Sequence, residues 1–154
     1  MENRRRRKSI RLSPEAYGHA SAFFITMATF ERYPWFHVHQ ALARATIDEL
    51  LRLAGQREAI LWAWCLMPDH LHLLLQDADV VGFVRSLKGR LSVVGRALDP
   101  GRRLWQRSFF DHGLRKEESV NDVCTYIWEN PVRKGMVKTA GEYPWSGGKG
   151  FQRT

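Results

Sequence analysis

Two histidines, His70 and His72, flank a single leucine in the stretch Met67-Pro68-Asp69-His70-Leu71-His72-Leu73-Leu74-Leu75. In an extended strand their side chains leave the same face, ~7 Å apart, while Leu71, Leu73 and Leu75 leave the other. Two imidazoles with an apolar backing could hold one metal ion. An ion needs further ligands, and His112, Asp111, Glu129 and Asn130 are the candidates elsewhere in the chain. Asp69 faces away from His70 or belongs to a turn, where it could orient an imidazole from behind. A second pair lies near the end of the chain. Tyr126 and Asn130 are four apart, so a continuous helix places them on one face, away from that of Val123 and Ile127. A phenol brought over a metal site could attack a phosphodiester and form a phosphotyrosine. An ordinary phenol has a pKa of about 10 and needs help at neutral pH. A divalent cation on the attacked phosphate supplies that help by stabilising the charge that develops there.

These residues need elements to carry them. Ala22–Phe30 is rich in β-formers and reads as strand one. From His37 to Ala54 apolar residues recur at helical spacing (Val38, Leu42, Ile47, Leu50, Leu51, Ala54), which predicts helix one, stopped by Gly55. His37 and His39 share no face there and read as surface or capping residues. Glu58–Met67 and His70–Gln76 read as strands two and three, joined as a hairpin by Pro68-Asp69. Val80–Leu98 carries the stripe Val81, Val84, Leu87, Leu91, Val94 and Leu98 of helix two, ended by Asp99-Pro100-Gly101. Leu104–Leu114 reads as strand four, bent near Gly113. The last helix opens near Ser119, with Asp122 as its cap partner, and Pro131 bounds it near Asn130. Residues 132–154 read as irregular and rich in glycine. The order β-α-β-β-α-β predicts an α+β fold, a ferredoxin-like antiparallel sheet with two helices on one face and an additional C-terminal tyrosine-bearing helix. The other face is then open or covered by that helix.

The chain has 154 residues and a formal net charge of +8. Its length suits one domain. We place a flexible basic arm at 1–14, a single catalytic domain at 15–147 and a tail at 148–154. Arg4, Arg5, Arg6 and Arg7 crowd the arm. Between Arg85 and Lys116 nine basic residues (Arg85, Lys88, Arg90, Arg96, Arg102, Arg103, Arg107, Arg115, Lys116) stand against the two acids Asp99 and Asp111. Such clustering favours a polyanion, because neutralised phosphates release counterions and guanidinium groups fork onto phosphate. Cys65 and Cys124 cannot make a disulfide framework and read as buried small hydrophobes. The longest apolar run, Ala59–Met67, is too short to cross a membrane, and no apolar segment follows the basic N-terminus as in a secretory signal. The expected location is the cytoplasm, on the nucleoid.

Pro68-Asp69-His70-Leu71-His72 matches the His-hydrophobe-His motif of HUH single-strand DNA nucleases. The run from Tyr126 to Val137, Tyr-Ile-Trp-Glu-Asn-Pro-Val-Arg-Lys-Gly-Met-Val, resembles the tyrosine-helix motif of single-tyrosine transposases of the IS200-like kind. It is most similar to the branch associated with repetitive extragenic palindromes (REP). Lys88-Gly89, Trp105-Gln106, Phe110-Asp111-His112 and Tyr143-Pro144-Trp145-Ser146 resemble that branch in the same order, so the likeness runs from about residue 22 to 147. Position 147 is glycine where that branch usually carries serine. The resemblance implies the ferredoxin-like fold, His70, His72 and Asn130 as ligands of Mg²⁺ or Mn²⁺, and Tyr126 as nucleophile. Nitrogen donors favour manganese. It implies cleavage and rejoining of single-stranded DNA near hairpins or palindromic repeats through a 5′-phosphotyrosine, by a monomer or homodimer. Arg4, Arg5, Arg6, Arg7, Lys88, Arg90, Arg102, Arg103, Arg107, His112, Arg115 and Lys116 are the expected DNA contacts. Trp128 is placed either to stack on a base or to pack on the sheet. Two other readings make different predictions. A binding module without catalysis would need no metal, and a metal hydrolase using water would not need Tyr126.

Overall fold

In the computed structural model, which describes residues 22–115 and 118–154, the apolar run after Ala22 forms β1 (Phe23–Ala28). A short turn of helix, α1 (Trp35–Val38), precedes α2 (Gln40–Gln56). Next come β2 (Ile60–Met67), β3 (His70–Gln76), α3 (Val80–Leu98) and β4 (Phe110–Gly113). α4 (Val120–Trp128), a one-turn α5 (Asn130–Arg133) and β5 (Ser146–Gly147) complete the chain. The sheet runs β4-β1-β3-β2-β5 and every pairing is antiparallel. Its first four strands follow the order of the expected ferredoxin-like sheet. No helix among the described residues is long and apolar enough to cross a membrane.

Side-chain alternation divides the core in two. Phe23, Ile25 and Met27 of β1, and Leu71, Leu73 and Leu75 of β3, pack against Leu42, Ile47 and Leu50 of α2 and Phe83, Val84, Leu87 and Leu91 of α3. Leu71 and Leu73 have no solvent exposure, and truncating either to alanine would cost about 2–5 kcal/mol. On the opposite face, Ala63, Cys65, Met67 and Leu74 pack against Cys124 and Ile127 of α4 and against Tyr143. That second face carries both histidines. Cross-strand partners point the same way, and the register pairs Ala28 with His70, Thr26 with both His72 and Phe110, and Phe24 with His112.

Four expectations change. Strand four is shorter than Leu104–Leu114. Leu104 and Trp105 turn their side chains into the helix-side core, and Trp105 makes only an isolated bridge with Thr29. The segment is held instead by Lys88, whose Nζ donates to the carbonyls of Gln106 (2.8 Å) and Ser108 (3.0 Å). Helix one breaks at His39, whose ring lies against Trp35, and ends one residue beyond Gly55. The final helix does not run from Tyr126 through Asn130. It closes at Glu129, and Pro131, which has no N–H to donate, opens a separate turn. The C-terminal stretch is ordered rather than irregular. β5 extends the sheet beside β2, Trp128 Nε1 donates to the Gly147 carbonyl at 2.8 Å, and Phe151 packs on the Trp128 ring. Trp128 is therefore a packing residue.

Candidate active site

β3 leaves the Pro68-Asp69 turn directly at His70, so the strand fixes both imidazoles from their first atoms. His70 is buried, and its Nδ1 lies 2.6 Å from an Asp69 carboxylate oxygen. Arg32 in turn donates from Nε to the other Asp69 oxygen at 3.0 Å. Glu31 and Arg32 take positive φ, 56° each, in the tight turn after β1 that brings Arg32 there. A neutral His70 places its proton on Nδ1, because an ionised carboxylate only accepts. Its Nε2 lone pair then faces the ring of His72.

The Nε2 atoms of His70 and His72 stand 3.0 Å apart. Behind His72, the Thr26 hydroxyl lies 2.9 Å from Nδ1. A hydroxyl donates or accepts, so Thr26 supports either tautomer. With its proton on Nε2, His72 donates to His70. With its proton on Nδ1, it donates to Thr26, and both Nε2 lone pairs converge. Asn130 closes the group. Although the helix is broken, the new turn buries its side chain, with the amide nitrogen 3.4 Å from His70 Nε2. A half-turn of the amide would present Oδ1 at the same place.

Electrostatics keep the pair neutral. Burial pushes His72 down to about 3, helped by His70 and by the Arg133 charge. Burial also lowers His70, although Asp69 opposes it. At Asp69, burial works upward, but the hydrogen bond and charge of His70 and the Arg32 guanidinium outweigh it and hold the carboxyl below its ordinary value. Neutral imidazoles are the form that binds a metal. Two adjacent donors of an octahedral ion, each about 2.1 Å from it, are about 3 Å apart, which the two Nε2 atoms match. Among the described residues no three His, Cys, Asp or Glu side chains group around such a point. The third protein donor within reach is the Asn130 amide, and Asp111 lies on β4 next to His112 with its side chain on the other face.

Tyr126 stands beside this group rather than in contact with it. Its ring meets Phe24 edge-on at 6.1 Å, and Phe24 stacks on His72 at 5.5 Å. Arg133 holds it from α5: the guanidinium lies 4.2 Å over the ring and also donates to the Tyr126 carbonyl. Among the described tyrosines, Tyr126 is 55% exposed. Tyr143 is buried with its hydroxyl on the Leu66 carbonyl, and Tyr33 is covered by Arg102. Thr26, Phe24, Arg32 and Arg133 were not singled out from sequence. Thr26 did leave a trace, as a polar residue in an apolar strand.

The expected DNA contacts separate into groups. Lys88, Arg102, Arg103 and Arg107, with Arg96, line one groove of about 510 Å³ between α3 and the segment before β4. Arg90 instead pairs with Glu49 of α2 at 3.1 Å. His112 donates to the Glu118 carboxylate on the tyrosine side, and the Arg115 N–H joins it there. Arg4, Arg5, Arg6, Arg7 and Lys116 lie outside the described residues.

The model of the family described as "Transposase IS200 like" matches residues 21–130, from the entry to β1 through Asn130. The chain belongs to the IS200-like transposase family. Among curated relatives, it is 31% identical over 98 residues to a Haemophilus influenzae protein provisionally named a REP-associated tyrosine transposase. That match covers 54% of this chain and 56% of the relative. It is 25% identical over 101 residues to the REP-associated tyrosine transposase of Escherichia coli K12, covering 63% and 59%. The chain thus spans less than two-thirds of the length of these transposases. Its fold matches that of a REP-associated tyrosine transposase solved bound to a REP hairpin. The TM-score is 0.65 at 22% identity, over 82% of this chain and 76% of that one. A transposase-like structure from Deinococcus radiodurans gives 0.53 at 25% identity, over 71% and 89%.

Proposed function

We propose that this IS200-like transposase is a metal-dependent single-stranded DNA endonuclease and strand transferase that acts near DNA hairpins or palindromic repeats. The observation that carries the reading is the convergence of His70 and His72 at 3.0 Å, with the Asn130 amide beside them and an exposed tyrosine one ring away. The REP hairpin to which the structural relative is bound, and the basic groove at Lys88, Arg102, Arg103 and Arg107, support a folded DNA partner.

His70, His72 and Asn130 would hold Mg²⁺ or Mn²⁺, and nitrogen donors favour Mn²⁺. When bound, such an ion polarises the attacked phosphate and stabilises its developing charge. Asp69 and Thr26 fix the two rings, and burial keeps both rings neutral. The Tyr126 phenol loses its proton to solvent, and its oxygen forms a bond to phosphorus. The bond to the 3′ oxygen breaks, and that oxygen leaves as a hydroxyl after taking a proton. The downstream strand is then esterified to Tyr126 through its 5′-phosphate, and the upstream strand ends in a free 3′-hydroxyl. Attack by a 3′-hydroxyl reverses the exchange, so strands rejoin without an external energy source.

Incubation of the protein with single-stranded hairpin DNA and Mn²⁺, resolved on a denaturing gel, tests the reading. The expected result is a protein–DNA adduct that Tyr126→Phe abolishes and His70→Ala greatly reduces. Cleavage that survives in Tyr126→Phe would replace the tyrosine with water as nucleophile. Binding without cleavage in any metal would reduce the chain to a binding module.

A further inference from the structure

Arg133 links the candidate nucleophile to the candidate metal ligands. It lies three residues after Asn130 in α5, so the two side chains leave one side of a single turn. That turn is closed at its far end. The Gly135 N–H donates to the Val132 carbonyl and the Met136 N–H to the Pro131 carbonyl, with Gly135 at φ 70°. This pair of bonds around a left-handed glycine ends a helix firmly. From this turn Asn130 reaches inward, its amide nitrogen 3.4 Å from His70 Nε2. Arg133 reaches back to α4, where its guanidinium covers the Tyr126 ring at 4.2 Å and donates to the Tyr126 carbonyl at 2.8 Å.

Holding Tyr126 does not exhaust the guanidinium. It carries five N–H donors, and the bond to the carbonyl uses one. Arg133 is exposed and has no carboxylate partner among the described residues, whereas Arg32, on the other flank of the histidines, is committed to Asp69. The charge of Arg133 also reaches the pair: burial and His70 lower His72 first, and Arg133 adds to them. A phosphodiester under attack has two non-bridging oxygens, and both gain negative charge as the phenol oxygen bonds to phosphorus. The group formed by His70, His72 and Asn130 serves one of them. The other needs a donor on the tyrosine side.

We propose that Arg133 is a further catalytic residue, a clamp whose unused N–H groups bind the attacked phosphate at the non-bridging oxygen turned away from His70 and His72. The clamp rests on Tyr126 being the nucleophile. An arginine keeps its proton, so Arg133 contributes charge and geometry and transfers nothing. The Tyr126 oxygen still forms the bond to phosphorus, its proton still goes to solvent, and the bond to the 3′ oxygen still breaks. Contact with an exposed ring is weak beside a charge-assisted bond to phosphate. The guanidinium therefore turns from ring to phosphate without rearranging α5.

Methylphosphonate DNA separates a clamp from a residue that only orients Tyr126. The full-length protein first cleaves hairpin DNA with Mn²⁺, and sequencing the released 3′ end locates the bond. The same DNA is then made with a methylphosphonate there, which replaces one non-bridging oxygen by a methyl group and removes the charge, and its two diastereomers are separated. Arg133→Ala should slow adduct formation on ordinary DNA about 100-fold. On one diastereomer the same substitution should change the rate about threefold or less. Arg133→Lys, which keeps the charge without the fork, should recover about tenfold of the loss. In EDTA, the wild-type protein should bind ordinary DNA about tenfold more tightly than that diastereomer, and Arg133→Ala should bind the two alike. A loss of equal size on phosphate and on both methylphosphonates would overturn the clamp and leave Arg133 as a positioning residue. An adduct on Tyr126 formed at the wild-type rate by Arg133→Ala would overturn it and keep the tyrosine mechanism. Cleavage that survives in Tyr126→Phe would remove the tyrosine mechanism and the clamp with it.

Discussion

His70 and His72 turn their Nε2 atoms toward one another at 3.0 Å, while their Nδ1 atoms are held from behind by Asp69 and Thr26. One strand supplies the pair, the turn before it supplies one support, and the neighbouring strand supplies the other. Loss of either imidazole should remove tight Mn²⁺ binding, a change of at least about 100-fold in Kd by titration calorimetry. Asp69→Asn and Thr26→Val, which leave both imidazoles in place, should weaken it about 10- to 100-fold. Unchanged affinity in Thr26→Val would show that the hydroxyl does not orient His72.

Lys88 and Arg107 share one basic groove but should behave differently. Lys88 Nζ holds two carbonyls of the segment before β4. Hydrogen bonds from charged groups contribute about 1.5–3 kcal/mol, so Lys88→Met should lower stability by about 2 kcal/mol in urea unfolding. Arg107→Ala should leave stability within about 0.5 kcal/mol. It should reduce the slope of log affinity for hairpin DNA against log salt by about one. Equal effects of the two changes on stability would contradict this division of roles.

The cysteines supply a pH prediction. Burial raises the Cys65 thiol to about 11, against smaller lowering by Ser146 and Arg133, and burial raises Cys124 as well. Both should resist a thiol reagent at pH 8 until the protein unfolds. The folded state keeps the Cys65 proton where the unfolded chain releases it, so stability should fall as pH rises from 9 toward 11. Rapid labelling of the native protein at pH 8 would show that Cys65 is not shielded.

Arg133 fixes Tyr126 through its guanidinium over the ring and a hydrogen bond to the carbonyl. An exposed cation–π contact is worth about 0.5–1 kcal/mol. Arg133→Ala should therefore cost little stability, about 1 kcal/mol or less. It should increase the mobility of Tyr126, measured as faster ring and backbone relaxation by NMR. Unchanged relaxation would mean that packing of α4 alone positions the tyrosine.

Much of this arrangement is legible in the residues themselves. Alternation along His70–Gln76 separates the histidine face from the leucine face, and the stripe Val84, Leu87 and Leu91 reports the buried side of α3. Local patterns carry those features because one side of each element is buried. The rest depends on partners distant in sequence. Trp105 reads as a strand residue, yet the space under α3 draws it out of the ladder. The Tyr126–Asn130 spacing suggests one helical face, but Pro131 breaks the helix and sends Asn130 inward and Tyr126 outward. Thr26 acquires its role only because β1 pairs with β3 in a particular register, which spacing within one strand cannot reveal. The Arg32–Asp69 contact likewise needs a left-handed backbone turn that composition does not signal.

The most direct measurement of the account is to digest the protein–DNA adduct formed with Mn²⁺ and locate the nucleotide by mass spectrometry. The chain has four tyrosines, so the result is unambiguous. The expected result is a nucleotide phosphate on Tyr126 and no modification of Tyr17, Tyr33 or Tyr143. A nucleotide on any other residue, or cleaved DNA with no modified peptide, would contradict it.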